Sequence, residues 1–185
     1  MDDCDQFEYW KDEFKAANGP QKGDKTWCHL VTRTYAFGGH TRLLLQLAKG
    51  LDDCGIDQSL IVSQAGSQKA AREMRANFQG PLRDIRIMEG NLAQRARGCF
   101  AAGLPAHVVV MHIHPHDIVA ALAARALREA GKTVLFVNHA DHVFSFGPGA
   151  ADAVLEICAT GWKTTNERRH ARAQHFMGIP ITSER

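Results

Sequence analysis

The chain has 185 residues, of which 45% are hydrophobic and 23% charged, with a formal net charge of +2. That composition suits one well-buried globular domain, or one domain and a small part of another. The near-balanced charge gives no electrostatic footprint for nucleic acid, and no run interleaves basic with aromatic residues as single-strand binders do.

Residues 1–24 are polar and mixed in charge and read as an N-terminal arm, with Phe7, Tyr9, Trp10 and Phe14 on one face of a short predicted helix. Asn18-Gly19-Pro20 and Gly23 end it. Asp2, Asp3, Asp5 and Glu8 make this start acidic, unlike a secretory leader. A strand over about 27–34 then runs into Gly38-Gly39. A helix over about 41–53 follows, amphipathic on Leu43, Leu44, Leu47, Ala48 and Leu51, with Gly55 as its stop. Ser59–Ser63 is a second strand, and a helix carrying Ala70, Ala71, Met74 and Phe78 ends at Gly80-Pro81. Ile85–Met88 is a short third strand and 91–102 a third helix. His107–Ile113 is almost continuously apolar, as expected of a central strand covered on both faces. An Ala- and Leu-rich helix, 117–130, leads through Gly131 to a fifth strand, Thr133–Val137.

The last third is less regular: 152–160 reads as a short helix followed by a strand, and 164–176 as a final helix exposing Arg168, Arg169 and Arg172. No apolar stretch approaches the roughly 18–20 residues that span a bilayer, which leaves peripheral membrane contact open. The cysteines, Cys4, Cys28, Cys54, Cys99 and Cys158, form no C-x-x-C pair and read as reduced thiols of a cytoplasmic protein. Strands alternating with helices over short links imply an α/β fold: a Rossmann-like three-layer domain with a parallel sheet, over residues 25–182.

In such a sheet, chemistry gathers beyond the carboxyl ends of the strands, where strand order reverses. The first strand ends in Gly38-Gly39-His40, the fourth in His112-Ile113-His114-Pro115-His116-Asp117, and the fifth in Asn138-His139-Ala140-Asp141-His142. In a 3-2-1-4-5 order these three clusters line one crevice. Adjacent glycines before a helix let the backbone approach a bound group, and the helix N-terminus favours negative charge there. The same residues have plainer roles to weigh. Gly38-Gly39 also suits a tight turn, His112 a hydrogen-bonded core position, Asp117 a helix cap, Asp141 a turn cap and His142 the surface.

Three alternating histidines at 112, 114 and 116, with His139 and His142 beyond, raise the question of a metal. His112 belongs in the core, Pro115 interrupts the extended geometry, and no cysteine stands beside the cluster, so no metal site is assigned. A G-x-S-x-G elbow is absent, and the dinucleotide fingerprint lacks its third glycine and its acidic residue after the second strand. No cofactor follows from these motifs.

The run from His29 to Leu51, with its Gly38-Gly39-His40-Thr41-Arg42 and leucine-rich helix, resembles the opening of GT-B glycosyltransferases of the glycosyltransferase-4 type. Gly55–Ser63 is similar to the second strand of that family, and the strands ending at His112–His116 and Asn138–His142 to its fourth and fifth. Thr160-Gly161-Trp162, a helix with paired arginines and Met177–Ile181 look like the lead-in to its interdomain linker. The resemblance covers roughly residues 27–182.

What this implies is the acceptor-side half of a retaining, metal-independent glycosyltransferase that takes a nucleotide-sugar donor and an acceptor not readable from the sequence. By resemblance, His139 is the catalytic residue that orients the transferred sugar. Gly38, Gly39 and Arg42, with His114 and Asp141, bind substrate. The likeness stops at Arg185, before the family's paired-glutamate donor motif, so a donor-side domain or subunit is expected to complete the site. Without it, stabilisation of the leaving diphosphate is missing and the chain alone is expected to be inactive. Two other readings stay open: a nonenzymatic Rossmann-like module that binds a ligand or partner, and a histidine-liganded metalloenzyme.

Overall fold

The computed structural model describes residues 26–33, 39–64, 80–169 and 171–179. Gly38, the arm over 1–24 and the helix expected around Ala70–Phe78 lie outside them. The described residues form one seven-stranded parallel sheet in the order β3-β2-β1-β4-β5-β6-β7. The strands are β1 (Thr26–Val31), β2 (Asp57–Val62), β3 (Leu82–Ile87), β4 (Val108–His112), β5 (Thr133–Asn138), β6 (Ala153–Glu156) and β7 (Gln174–Phe176). The helices are α1 (Gly39–Asp53), α2 (Leu92–Gly103), α3 (Ile118–Glu129), α4 (Gly147–Ala150) and α5 (Ala159–Arg168).

Alternation along the strands sorts side chains between two helical layers. Leu44 and Ala48 of α1 pack with Val31, Leu60 and Val62, and Leu43 packs with Val110 and Val137. On the other face Cys28, Leu30, Val109 and Met111 meet Cys99 and Phe100 of α2, the alanine-rich side of α3, and Ala150 of α4. Burying a leucine such as Leu30 or Leu60 fully is worth about 1.5–3 kcal/mol, so the central strands carry much of the stability. The described cysteines are free thiols, and burial pushes that of Cys28 up to about 12.

Turn chemistry places the strand starts. Gly55 follows α1 at φ 72°, and Ile56 N bonds back to Leu51 O at 3.1 Å. Gly131 does the same after α3 at φ 82°, with Lys132 N on Leu127 O. The predicted order 3-2-1-4-5 is thus present, and β6 and β7 extend it.

The last third differs from the sequence reading. The short helix is α4 at Gly147–Ala150, ahead of 152–160, and the strand β6 is only Ala153–Glu156. The helix expected over 164–176 starts earlier and ends at Arg168, because the edge of β6 recruits Gln174–Phe176 as a parallel partner. Sheet pairing outweighs the weak helical pattern there. Buried Glu156 anchors this corner: its carboxylate accepts from Asn138 Nδ2 at 2.8 Å and from Gln174 Nε2 at 3.1 Å.

Candidate functional site

The ends of β1, β2 and β4 are tied to the start of α3 by one carboxylate. Asp117 Oδ1 accepts from Ala120 N at 3.0 Å and so caps α3, as the sequence allowed. Its Oδ2 accepts from Thr32 Oγ1 at 2.6 Å and from the Ser63 hydroxyl. Thr32 Oγ1 in turn accepts from His114 N at 2.8 Å. Charge-assisted bonds of this kind are about twice as strong as neutral ones and hold the three strand ends in register.

Above this clamp opens a cleft of about 760 Å³ at the carboxyl ends of β1, β4 and β5. Thr32 and Arg33 line it after β1, and His40 from the first turn of α1. His112, His114 and His116 line it after β4, His139 and His142 after β5, and Arg95 of α2 from the side. The rings of His40 and His139 stack, with centroids 5.6 Å apart and planes at 22°. The N-terminal turn of α1 and the end of β5 therefore face each other across one rim.

Local bonds fix how these histidines act. His139 Nδ1 lies 3.2 Å from Val137 O, and since a carbonyl only accepts, Nδ1 carries the proton. Nε2 is left as the lone pair of a neutral ring. Burial first, and then the proximity of the His40 ring, lowers the His139 pKa to about 4. A ring that weakly basic is a hydrogen-bonding and orienting group at neutral pH rather than a proton shuttle. His112 is 2% exposed and bonds His29 at 3.2 Å, the core role expected of it, although it also lines the cleft. His114 is exposed, with its ring 5.6 Å from that of His116.

The remaining sequence-predicted residues fall in different places. Gly39 opens α1, and a Cβ built on it meets nothing within 4 Å among the described residues. Gly38 lies outside the described residues. Arg42 is exposed on α1 and is not part of the cleft lining. Asp141 lies behind the rim, where its Oδ2 is 3.3 Å from Cys158 Sγ. His142 is at the surface, its side chain 79% exposed and 3.5 Å from Asp141.

Arg169 corrects the reading of a solvated arginine face. Arg168 and Arg172 are exposed, but Arg169 reaches back to the loop that carries His139. It donates to Asn138 Oδ1 at 2.9 Å, Asp141 O at 2.8 Å and Val143 O at 2.7 Å. Arg95 was also missed: its Nη1 donates to Ser63 O at 3.3 Å, and its guanidinium borders the cleft. Neither has a local sequence signal, since each acts on backbone that only the fold brings near. Among the described residues, no three His, Cys, Asp or Glu side chains gather as a metal-binding set.

No protein-family model matches the chain, and no curated protein matches it by sequence. Among solved structures, the chain is similar to MurG of Acinetobacter baumannii, a GT-B glycosyltransferase, at 17% identity and a TM-score of 0.58. The match covers 87% of this chain and 47% of MurG, so the chain spans about half the length of the structure it matches. At that identity the likeness is one of fold: a Rossmann-like α/β domain of the kind found in GT-B enzymes.

Proposed function

We propose that this chain is the acceptor-side domain of a glycosyltransferase that moves a sugar from a nucleotide-sugar donor, retaining its anomeric configuration and using no metal. The observation that carries the reading is the stacked pair His40–His139, which joins the N-terminus of α1 to the end of β5 on one side of the cleft. The MurG-like fold and the sequence resemblance support the reaction class.

His139 is the residue that orients the transferred sugar, through an uncharged Nε2. Gly39 leaves room for a ligand to approach the first turn of α1, where the positive end of the helix dipole favours a phosphate or hydroxyl oxygen. His114 stands at the same cleft. Arg42 and Asp141 contact substrate only if it extends past the cleft lining, along α1 or behind the β5 loop.

A second Rossmann-like domain, in the same polypeptide or a separate subunit, supplies the donor-side groups that neutralise the leaving diphosphate. In the enzyme carrying both domains, His139→Ala lowers turnover by about 10²-fold through lost orientation while thermal stability holds. Turnover within twofold of the parent ends the assignment. A chain that binds no sugar nucleotide or glycoside but captures a protein partner points instead to a nonenzymatic module.

A further inference from the structure

The charges that line the cleft do not balance. Arg33, just after β1, and Arg95, on α2, each bring a guanidinium, and Asp117 is the one carboxylate among the described lining residues. That carboxylate is already committed, since Ala120 N, Thr32 Oγ1 and the Ser63 hydroxyl all donate to it. Among the described residues no carboxylate pairs with Arg33 or Arg95.

Arg95 is firmly placed. A capping box locks the first turn of α2: Gln94 N donates to Asn91 Oδ1 at 2.9 Å, and Asn91 N donates to Gln94 Oε1 at 2.9 Å. Arg95 N follows onto Asn91 O at 3.0 Å. The Arg95 side chain is half-buried, and its Nη1 donates to Ser63 O at 3.3 Å. Its Nε is buried without a partner among the described residues and is closed to a ligand. The other N–H groups of Nη1 and Nη2 have no partner among the described residues either. Partly desolvating a guanidinium without a counter-ion costs free energy, which an anion entering the cleft recovers.

Position separates this group from the histidine rim. α1, which carries His40, packs on one face of the sheet and α2 on the other. Arg95 and His40 therefore reach the same cleft from opposite helical layers.

We infer that Arg95, with Arg33 on the same cleft, forms an anion subsite that receives a phosphate or carboxylate group carried by the acceptor. The subsite follows from charge and geometry. Its assignment to the acceptor rests on the glycosyltransferase reading, which puts the transferred sugar at the His40–His139 rim. A planar guanidinium offers paired N–H donors to either kind of group.

The test is proton–nitrogen NMR of the chain, titrated with inorganic phosphate and separately with acetate, at about 0.15 M salt to screen loose surface binding. At least one anion should shift the Arg95 side-chain and Gln64 amide resonances to saturation. Arg95→Gln should weaken that anion by about tenfold or more, because charge-assisted bonds become neutral ones. Arg95→Lys, which keeps the charge but loses the fork, should weaken it by about threefold. Arg168→Gln, on the exposed side of α5, should bind as the parent does. Should Arg95→Gln fail to fold, the parent's Arg95 resonances and the Lys variant decide in its place. No shift with either anion, or binding indifferent to the Arg95 variants, overturns the subsite. UDP and GDP, each compared with pyrophosphate, separate acceptor from donor. Similar affinities keep the subsite with the acceptor. A nucleoside diphosphate held through Arg95 about tenfold tighter than pyrophosphate gives it to the donor and overturns the assignment. Phosphate bound at Arg95 while methyl glycosides leave His40 and His139 unmoved keeps the anion subsite and removes the glycosyltransferase reading, so the two failures are told apart.

Discussion

A single imidazole shows how much residue type and position can convey. His139 was legible because it directly follows a buried strand, where side chains emerge beyond the sheet. Its tautomer was not, because that depends on Val137 O at 3.2 Å. His112 was legible as a buried, bonded residue, but strand alternation gives no sign that it also borders the cleft. Gly39 separates folding from binding at this scale. Since a Cβ there meets nothing within 4 Å among the described residues, Gly39→Ala should leave the melting temperature unchanged. The methyl group should still weaken glycoside binding by about tenfold or more, because it displaces a ligand from the first turn of α1. Calorimetric titration decides it: affinity equal to the parent's removes Gly39 from the site.

The described elements from β1 to β5 were readable from periodicity, since each apolar strand and amphipathic helix is locally self-consistent. The C-terminal third was not, because β7 exists only by pairing with the edge of β6, and Arg169 matters only where it meets the β5 loop. Three bonds from one guanidinium join the end of α5 to residues 138–143. Hydrogen bonds to charged groups contribute roughly 1.5–3 kcal/mol when buried, and less where the guanidinium is partly solvated. Arg169→Ala is therefore expected to cost about 2 kcal/mol in urea unfolding and to speed amide exchange across 139–143. Unaltered exchange there contradicts the role given to it. The α5 start is equally tight: a Cβ on Gly161 would lie 2.5 Å from Glu156 Oε2 and 3.2 Å from Asp141 Cβ. Gly161→Ala should destabilise by about 1–3 kcal/mol, measured by the same unfolding curves.

Over the whole molecule, buried neutral histidines tie stability to pH. His29 and His139 have folded pKa values of about 4 against an ordinary 6.5, and burial also lowers His112 well below its ordinary value. Between these limits the unfolded chain binds more protons than the folded one, so stability rises with pH. The contribution is complete above 6.5 and is lost as pH falls towards about 4, on the order of 3 kcal/mol for His29. The melting temperature should fall steadily from about pH 7 to pH 5, and a flat profile would mean the imidazoles charge freely in the folded state.

The parallel sheet itself was legible because short links and right-handed crossovers leave few other ways to bury these strands. What those strand ends bind is the central claim. It is tested most directly by following the ring resonances of His40, His139 and distant His175 while a methyl glycoside is added. The account predicts that His40 and His139 shift together and saturate while His175 stays still. Resonances of that stacked pair that remain fixed while another surface responds would contradict it.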